Sequence, residues 1–339
     1  MSIDSPTFIV AEISANHLMD YDRTVKIVEA AKYAGADAVK VQTYTSDTIT
    51  IDYDSEYFQV NHGSLWDGQR LYSLYKTAYM PWEWQPRLKE VVEKSGMVFF
   101  SSPFDLTAVD FLEEMDVQAY KVASLEITDI PLIKKMAQIK KPMFISTGVA
   151  NLADIEEALK TCREAGNEDV ILLKCTSTYP APYEDINLRT IPNMRDAFDC
   201  LVGLSDHTMG DMVAVAGVSL GAKVVEKHLT LQRSDGGPDS AFSMEIEEFK
   251  KMVDRIRNIE KALGKVTYDL TYQQTKTKEN ARSLFSVKDI KQGEKFTPDN
   301  IKSIRPGQGL HTRYYEQILD KVARCDIKRG TPLNWSMVK

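Results

Sequence analysis

The sequence predicts a (β/α)8 barrel followed by a small, mostly β domain. Three observations carry this. Short apolar runs alternate with stretches at helical period from residue 7 to residue 264, and the strand patterns reach the count of eight that closes a barrel. Polar residues gather at the C-terminal ends of those runs, where a barrel keeps its chemistry. Past residue 282 the texture changes to short segments divided by turns such as Lys291-Gln292-Gly293-Glu294 and Lys328-Arg329-Gly330. A doubly wound sheet is the competing architecture, but no G-x-G-x-x-G follows the first strand.

The expected strands are, in order, residues 7–13, 38–44, 97–103, 119–124, 142–148, 169–177, 201–207 and 223–228. A helix over Tyr21–Ala34 is stopped by Gly35. In the second strand the inward set Lys40, Gln42 and Tyr44 is unusually polar for a buried strand. Residues 45–80 form a long insertion with Trp66 and several tyrosines, and insertions of this length in a compact domain are usually functional. Pro81 opens a helix to about Ser95, and a last barrel helix covers Ile246–Leu263 before Gly264. The barrel is therefore expected over 1–264, a polar, lysine-rich linker over 265–281 and the second domain over 282–339.

A chain of 339 residues with 43% hydrophobic and 27% charged content is ordinary for a globular protein. The net charge of −7 argues against general nucleic-acid binding but leaves room for a locally basic pocket. The four cysteines show no zinc or disulfide spacing. The N-terminal residues show no secretion signal, and no apolar run is long enough to span a membrane. A cytoplasmic enzyme without membrane or nucleic-acid partners is the expectation.

The seventh and eighth strands, Leu201–His207 and Lys223–His228, both end in a histidine and flank one helical segment. Consecutive parallel strands would set His207 and His228 side by side at one mouth, with Ser205 and Glu226 beneath them. Two neutral imidazoles with open positions could hold a divalent ion that also touches substrate. Hydroxyls at the strand ends (Ser101, Ser102, Ser124, Ser146, Thr147, Thr176, Ser177, Ser205) and the charges of Lys40 and Lys121, with Lys174 or Lys227, suit a phosphate or carboxylate. Glu12, Glu126 and Glu226 are candidate bases, ion neighbours or lysine partners. Asp239 lies on a glycine-rich loop over the same mouth, and Arg305 is presented by the rigid loop Arg305-Pro306-Gly307. His17 is a weaker candidate, while His62 and His311 are expected in surface loops. The residues alone thus imply an ion-assisted barrel enzyme for a small anion, with aldol-type addition, hydrolysis and isomerisation all open.

The order of these motifs resembles the sialic acid synthase family nearly end to end. The resemblance rests on Ala11-Glu12-Ile13-Ser14-Ala15-Asn16-His17, Lys40-Val41-Gln42-Thr43, Ser101-Ser102-Pro103-Phe104, Tyr120–Ser124, Ser146-Thr147-Gly148, Gly203–Thr208, Glu226-Lys227-His228 and Gly237-Pro238-Asp239. The tail resembles the family's antifreeze-like (SAF) domain. The resemblance implies condensation of phosphoenolpyruvate with an open-chain amino sugar, with Mn2+ or Mg2+ held by His207 and His228. It implies that Lys40, Ser102, Lys121, Ser124, Ser146, Ser177 and Ser205 cradle phosphoenolpyruvate. Gln42, Tyr179 and Asp239 would contact the sugar, Glu126 would act as acid–base or sugar contact, and Glu12 would orient water or the ion. It further implies a domain-swapped homodimer in which Arg305 reaches the other subunit's mouth and binds an acetamido group.

Residues Ser64–Asp67 running to Pro81–Trp84, Ser124-Leu125-Glu126 and Asp239–Ser243 resemble the branch whose acceptor is 2,4-diacetamido-2,4,6-trideoxy-L-altrose. Ser177 and Ser240 depart from the N-acetylneuraminate branch, which carries asparagine and histidine there. The competing readings are an N-acetylneuraminate or legionaminic acid synthase with the same chemistry, a pyruvate aldolase and a non-catalytic sugar-binding protein.

Overall fold

The computed structural model describes residues 5–61, 63 and 65–339. Met1–Asp4, His62 and Ser64 lie outside the described residues, and with them the surface-loop expectation for His62 and the first residue of the Ser64–Asp67 motif. The chain forms two compact units that divide after Gly264.

The first unit is a closed parallel barrel of eight strands in sequential order. They are β1 (Phe8–Glu12), β2 (Ala38–Thr43), β3 (Val98–Pro103), β4 (Tyr120–Val122), β5 (Met143–Ser146), β6 (Val170–Cys175), β7 (Leu201–Asp206) and β8 (Val224–His228). Every expected strand is present, with its ends trimmed. Ser124 falls in a 3-10 turn over Ser124–Thr128, and Ser177 and His207 sit just past their strands. β1 closes the barrel against β8 with Glu12 opposite His228, and against β2 with Glu12 opposite Lys40.

The helices follow local signals. Asp20 accepts a hydrogen bond from the Arg23 N–H at the start of Tyr21–Ala34, and Gly35 (φ 87°) takes the left-handed conformation that ends it. Pro81 leads first into a 3-10 turn, Trp82–Trp84, and the helix proper runs Gln85–Lys94. The outward strand residues Ile9, Val39, Phe99, Val122, Ile145 and Leu172 are buried against the helical ring.

Alternation along the strands splits the lumen into two levels. Val10, Ala38, Phe100, Phe144, Ile171, Leu173 and Val224 fill the lower one. One pleat above them stand Glu12, Lys40, Ser102, Lys121, Ser146, Cys175, Ser205 and Glu226, all buried. Gly203 belongs to the lower level, where a Cβ would come within 2.7 Å of Leu173 and the Val224 carbonyl, so a side chain there would push β7 off its neighbours.

The second unit, Lys265–Lys339, pairs β9 (Ser283–Ser286) antiparallel with β10 (Ile301–Ile304) around a core of Leu284, Ile290, Phe296, Ile301, Ile318, Ile327 and Leu333. Within the stretch expected as a linker, Tyr272–Lys278 is helical, started by a reciprocal Thr271–Gln274 cap, and its side chains are exposed. No helix among the described residues is long and apolar enough to cross a membrane.

Candidate active site

The register that closes the barrel brings the upper lumen residues together. Lys40 Nζ lies 2.6 Å from Glu12 Oε2, 3.5 Å from Glu226 Oε1 and 3.4 Å from Ser102 Oγ. Burial works to discharge Lys40, but Glu12 and then Glu226 raise it above its ordinary value, so it stays an ammonium. Burial pushes the Glu12 carboxyl up; Lys40 opposes this and Glu226 adds to it. Glu226 is held below the usual carboxylate range despite its burial, because both Lys40 and Lys121 face it and Ser205 Oγ donates to it at 3.2 Å. Glu12 is the nearer partner of Lys40 yet is the acid inclined to keep a proton, because Glu226 has the second lysine.

Lys121 donates to the Val122 carbonyl at 3.0 Å, and burial lowers its basicity. An anionic ligand would restore its charge. Ser124 accepts from the Gly148 N–H at 3.2 Å. A Cβ on Gly148 would lie 2.1 Å from Ser177 Oγ and 2.7 Å from Ser124 Oγ, so glycine is what lets these two hydroxyls converge. Gln42 donates to Glu12 Oε1 at 3.2 Å and Ser14 Oγ at 2.9 Å.

His207 and His228 stand with ring centroids 5.5 Å apart in an edge-on arrangement. His207 Nδ1 is 3.0 Å from the Thr176 carbonyl oxygen, which fixes that nitrogen as an N–H donor; burial opposes a charge on the ring, but Cys175 and this bond raise it above its ordinary value, so a divalent ion would take the place of a proton on Nε2. Burial pushes His228 well below its ordinary value, so it is neutral, and its buried Nδ1 has no hydrogen-bond partner among the described residues. Ser146 Oγ and Glu126 Oε2 are likewise buried without one. A buried polar atom left unpaired costs roughly 1–3 kcal/mol, and these three residues lie at or just past the C-terminal ends of β4, β5 and β8, the end at which a polar ligand would enter a barrel. The donor set fits a divalent ion with open positions: two imidazoles, one oriented through its second nitrogen and one unpartnered. Among the described residues no group of three or more His, Cys, Asp or Glu is arranged around one point, so the remaining ligands would come from substrate or water.

Aromatic rings wall this pair. Tyr179 packs on His207 with centroids 4.3 Å apart, and Phe242 lies 5.1 Å from His228. The insertion supplies Trp66, which packs on Tyr179 at 5.7 Å and donates to the Pro238 carbonyl at 3.2 Å. It also supplies Tyr75, edge-on to Tyr44 at 5.7 Å. Asp239 accepts from the Ala15 N–H at 3.1 Å, and burial pushes its carboxyl up. Burial likewise raises Glu126, to about 7, with Lys121 partly opposing it.

Three barrel candidates stand outside the lumen. Lys174 and Lys227 point out of the lumen, one residue out of phase with the inward set. Lys174 donates to the Cys175 carbonyl at 2.6 Å, and Lys227 pairs with Asp206 at 2.7 Å. His17 is fully buried under Trp84, accepts from the Met19 N–H at 3.0 Å and is pushed down to about 4 by burial. It is a neutral packing residue. Arg305 is exposed in the second unit, just after β10.

Cys175 is the lumen residue that the sequence reading missed. Its Sγ lies 3.9 Å from His207 Nδ1 and 3.8 Å from Ser177 Oγ. Burial pushes the thiol up, but the His207 ring, the Ser124 hydroxyl and Lys121 bring it down to about 6. The signal was available: position 175 shares the alternation of Leu173 and Ser177.

The NeuB family model matches residues 27–268, and the SAF domain model matches residues 281–339. The chain is 44% identical to the pseudaminic acid synthase of Campylobacter jejuni over 330 residues, covering 97% of this chain and 96% of that one. It is 42% identical to the pseudaminic acid synthase of Helicobacter pylori, covering 97% of both, and 37% identical to the N,N'-diacetyllegionaminic acid synthase of Campylobacter jejuni, covering 95% and 97%. Among solved structures it resembles the spore coat polysaccharide biosynthesis protein SpsE of Bacillus subtilis (33% identity, TM-score 0.66, 99% of this chain and 96% of that one).

Proposed function

The chain belongs to the NeuB family, and from that membership we propose that it condenses phosphoenolpyruvate with 2,4-diacetamido-2,4,6-trideoxy-L-altrose and water, giving pseudaminic acid and phosphate. The near-full-length identity of 44% to a pseudaminic acid synthase carries the choice of acceptor, above the 37% to a legionaminic acid synthase.

The lumen supports the chemistry. Lys40 and Lys121 neutralise the phosphate and carboxylate of phosphoenolpyruvate, while Ser102, Ser124, Ser146, Ser177 and Ser205 donate hydroxyls to their oxygens. A divalent ion such as Mn2+ or Mg2+ on His207 and His228 would polarise the sugar aldehyde as a Lewis acid. Carbon 3 of the enol forms the new bond to the aldehyde carbon, and Glu126, protonated near neutral pH, delivers a proton to the resulting alkoxide. Positive charge left at carbon 2 is met by Glu226, which the lysine pair keeps ionised. Glu12, inclined to keep its own proton, orients the water that adds there, and the ionised Glu226 takes the water's proton. The carbon–oxygen bond to phosphate then breaks as the new hydroxyl becomes the keto group and passes its proton to the departing phosphate, which leaves in the field of Lys40 and Lys121. Gln42, Tyr179 and Asp239 hold the sugar chain.

The SAF-matching unit would supply Arg305 to the other subunit of a domain-swapped homodimer, where its exposed guanidinium binds an acetamido oxygen. The cysteines are all free, which agrees with a reducing, cytoplasmic setting.

The test is phosphoenolpyruvate labelled with 18O at its bridging oxygen, supplied with the L-altrose sugar. The label is expected in the released phosphate. Label kept in the organic product would rule out cleavage at carbon, and no phosphate at all would rule out this reaction.

A further inference from the structure

Asp206 and Lys227 stand immediately before His207 and His228, and their Cα atoms are register partners across β7 and β8. Alternation turns them away from the lumen, toward the helical layer. Lys227 Nζ lies 2.7 Å from Asp206 Oδ2 and donates to the Thr208 carbonyl at 2.6 Å. Asp206 Oδ1 in turn accepts from the Thr208 N–H at 2.9 Å and from its hydroxyl at 2.8 Å. The three side chains are at most 2% exposed. Lys227 thus bonds to the residues on both sides of His207, while its own neighbour in the chain is His228. The His207 carbonyl also accepts from the Ala181 N–H at 3.0 Å, which ties the loop carrying Tyr179 to the same point.

A buried ion pair is a poor stabilising device, because desolvation offsets most of its attraction and a well-packed apolar pair does as well. What such a pair does supply is register. The bonds that Lys227 sends across from β8 to the Asp206 carboxylate and the Thr208 carbonyl exist together in only one alignment of the two strands, and the Asp206–Thr208 bonds hold those two acceptors in place. We propose that Asp206 and Lys227 are positioning residues, a clamp behind the barrel wall that sets the spacing of His207 and His228 for the divalent ion. The proposal rests on the reading of that histidine pair as the ion site.

The test is the double variant Asp206→Asn with Lys227→Met. The introduced amide keeps an acceptor for Thr208, and removing both charges leaves neither one unpaired. Mn2+ affinity of the full chain is measured by the electron paramagnetic resonance of free Mn2+, beside the melting temperature and the KM for phosphoenolpyruvate. The expected result is affinity weakened roughly 10- to 100-fold, the scale of lost outer-sphere support, with the KM within about two-fold of wild type. Mn2+ affinity unchanged in the double variant, with only the melting temperature lowered, would overturn the clamp and leave the ion site standing. Absence of Mn2+ binding by the wild-type chain would overturn both. Should the double variant fail to fold, Lys227→Gln retains a donor toward Asp206 and is expected to weaken Mn2+ by about three-fold or more; unchanged affinity there would equally overturn the clamp.

Discussion

His207→Ala is expected to lower phosphate release by roughly 10³-fold, the scale lost when one preorganised electrostatic partner of a transition state is removed. The expectation follows from what surrounds the ring. Its Nδ1 is committed to the Thr176 carbonyl, so its free nitrogen is the one turned to chemistry. His228 cannot replace it, because a single imidazole leaves the ion with one protein ligand of the two that the pair supplies. The lysines and serines that grip phosphoenolpyruvate are mostly on other strands, so the KM for phosphoenolpyruvate should change far less than kcat. Steady-state kinetics beside circular dichroism checks this. A folded variant with near-normal kcat would remove His207 from the reaction.

The second large effect is expected of Glu126→Gln. Burial raises the Glu126 carboxyl to about 7, against the pull of Lys121, so much of the wild-type protein carries the proton at neutral pH. A general acid here makes kcat/KM fall as pH rises through about 7, and glutamine has no proton to give. The variant should lose roughly 10²- to 10⁴-fold at pH 6 and show no alkaline limb near 7. Stability carries the same sign. Between the ordinary carboxylate value of 4.5 and about 7, the unfolded chain has lost a proton that the folded chain keeps, so Glu126 makes stability fall as pH rises across that window. The variant should flatten that slope. A limb that persists unchanged in the glutamine variant would assign it to another group.

The barrel was legible because its strands repeat one pattern: an apolar run, a polar end and a helix. Period-two alternation then places the inward residues with no further information, which is why Lys40, Lys121, Ser205 and Glu226 converge as expected. The same rule, applied strictly, turns Lys174 and Lys227 outward and Cys175 inward, so those misplacements lay in the reading and not in the pattern. Other features depend on distances along no single element. Trp66 meets Tyr179 across a long insertion, and the unequal acidity of Glu12 and Glu226 depends on where the second lysine falls. His17 looked like a site residue because it follows a strand end, but its place is set by Trp84 and the turn to Met19.

The most direct test of the central claim is phosphate release from phosphoenolpyruvate in the presence of Mn2+, with three acceptors offered separately. These are the L-altrose diacetamido sugar, the acceptor of legionaminic acid synthases and N-acetylmannosamine. Release with the first alone is the predicted result. Release with another and not the first would keep the lumen chemistry and contradict the acceptor, and no release with any would contradict the reaction itself.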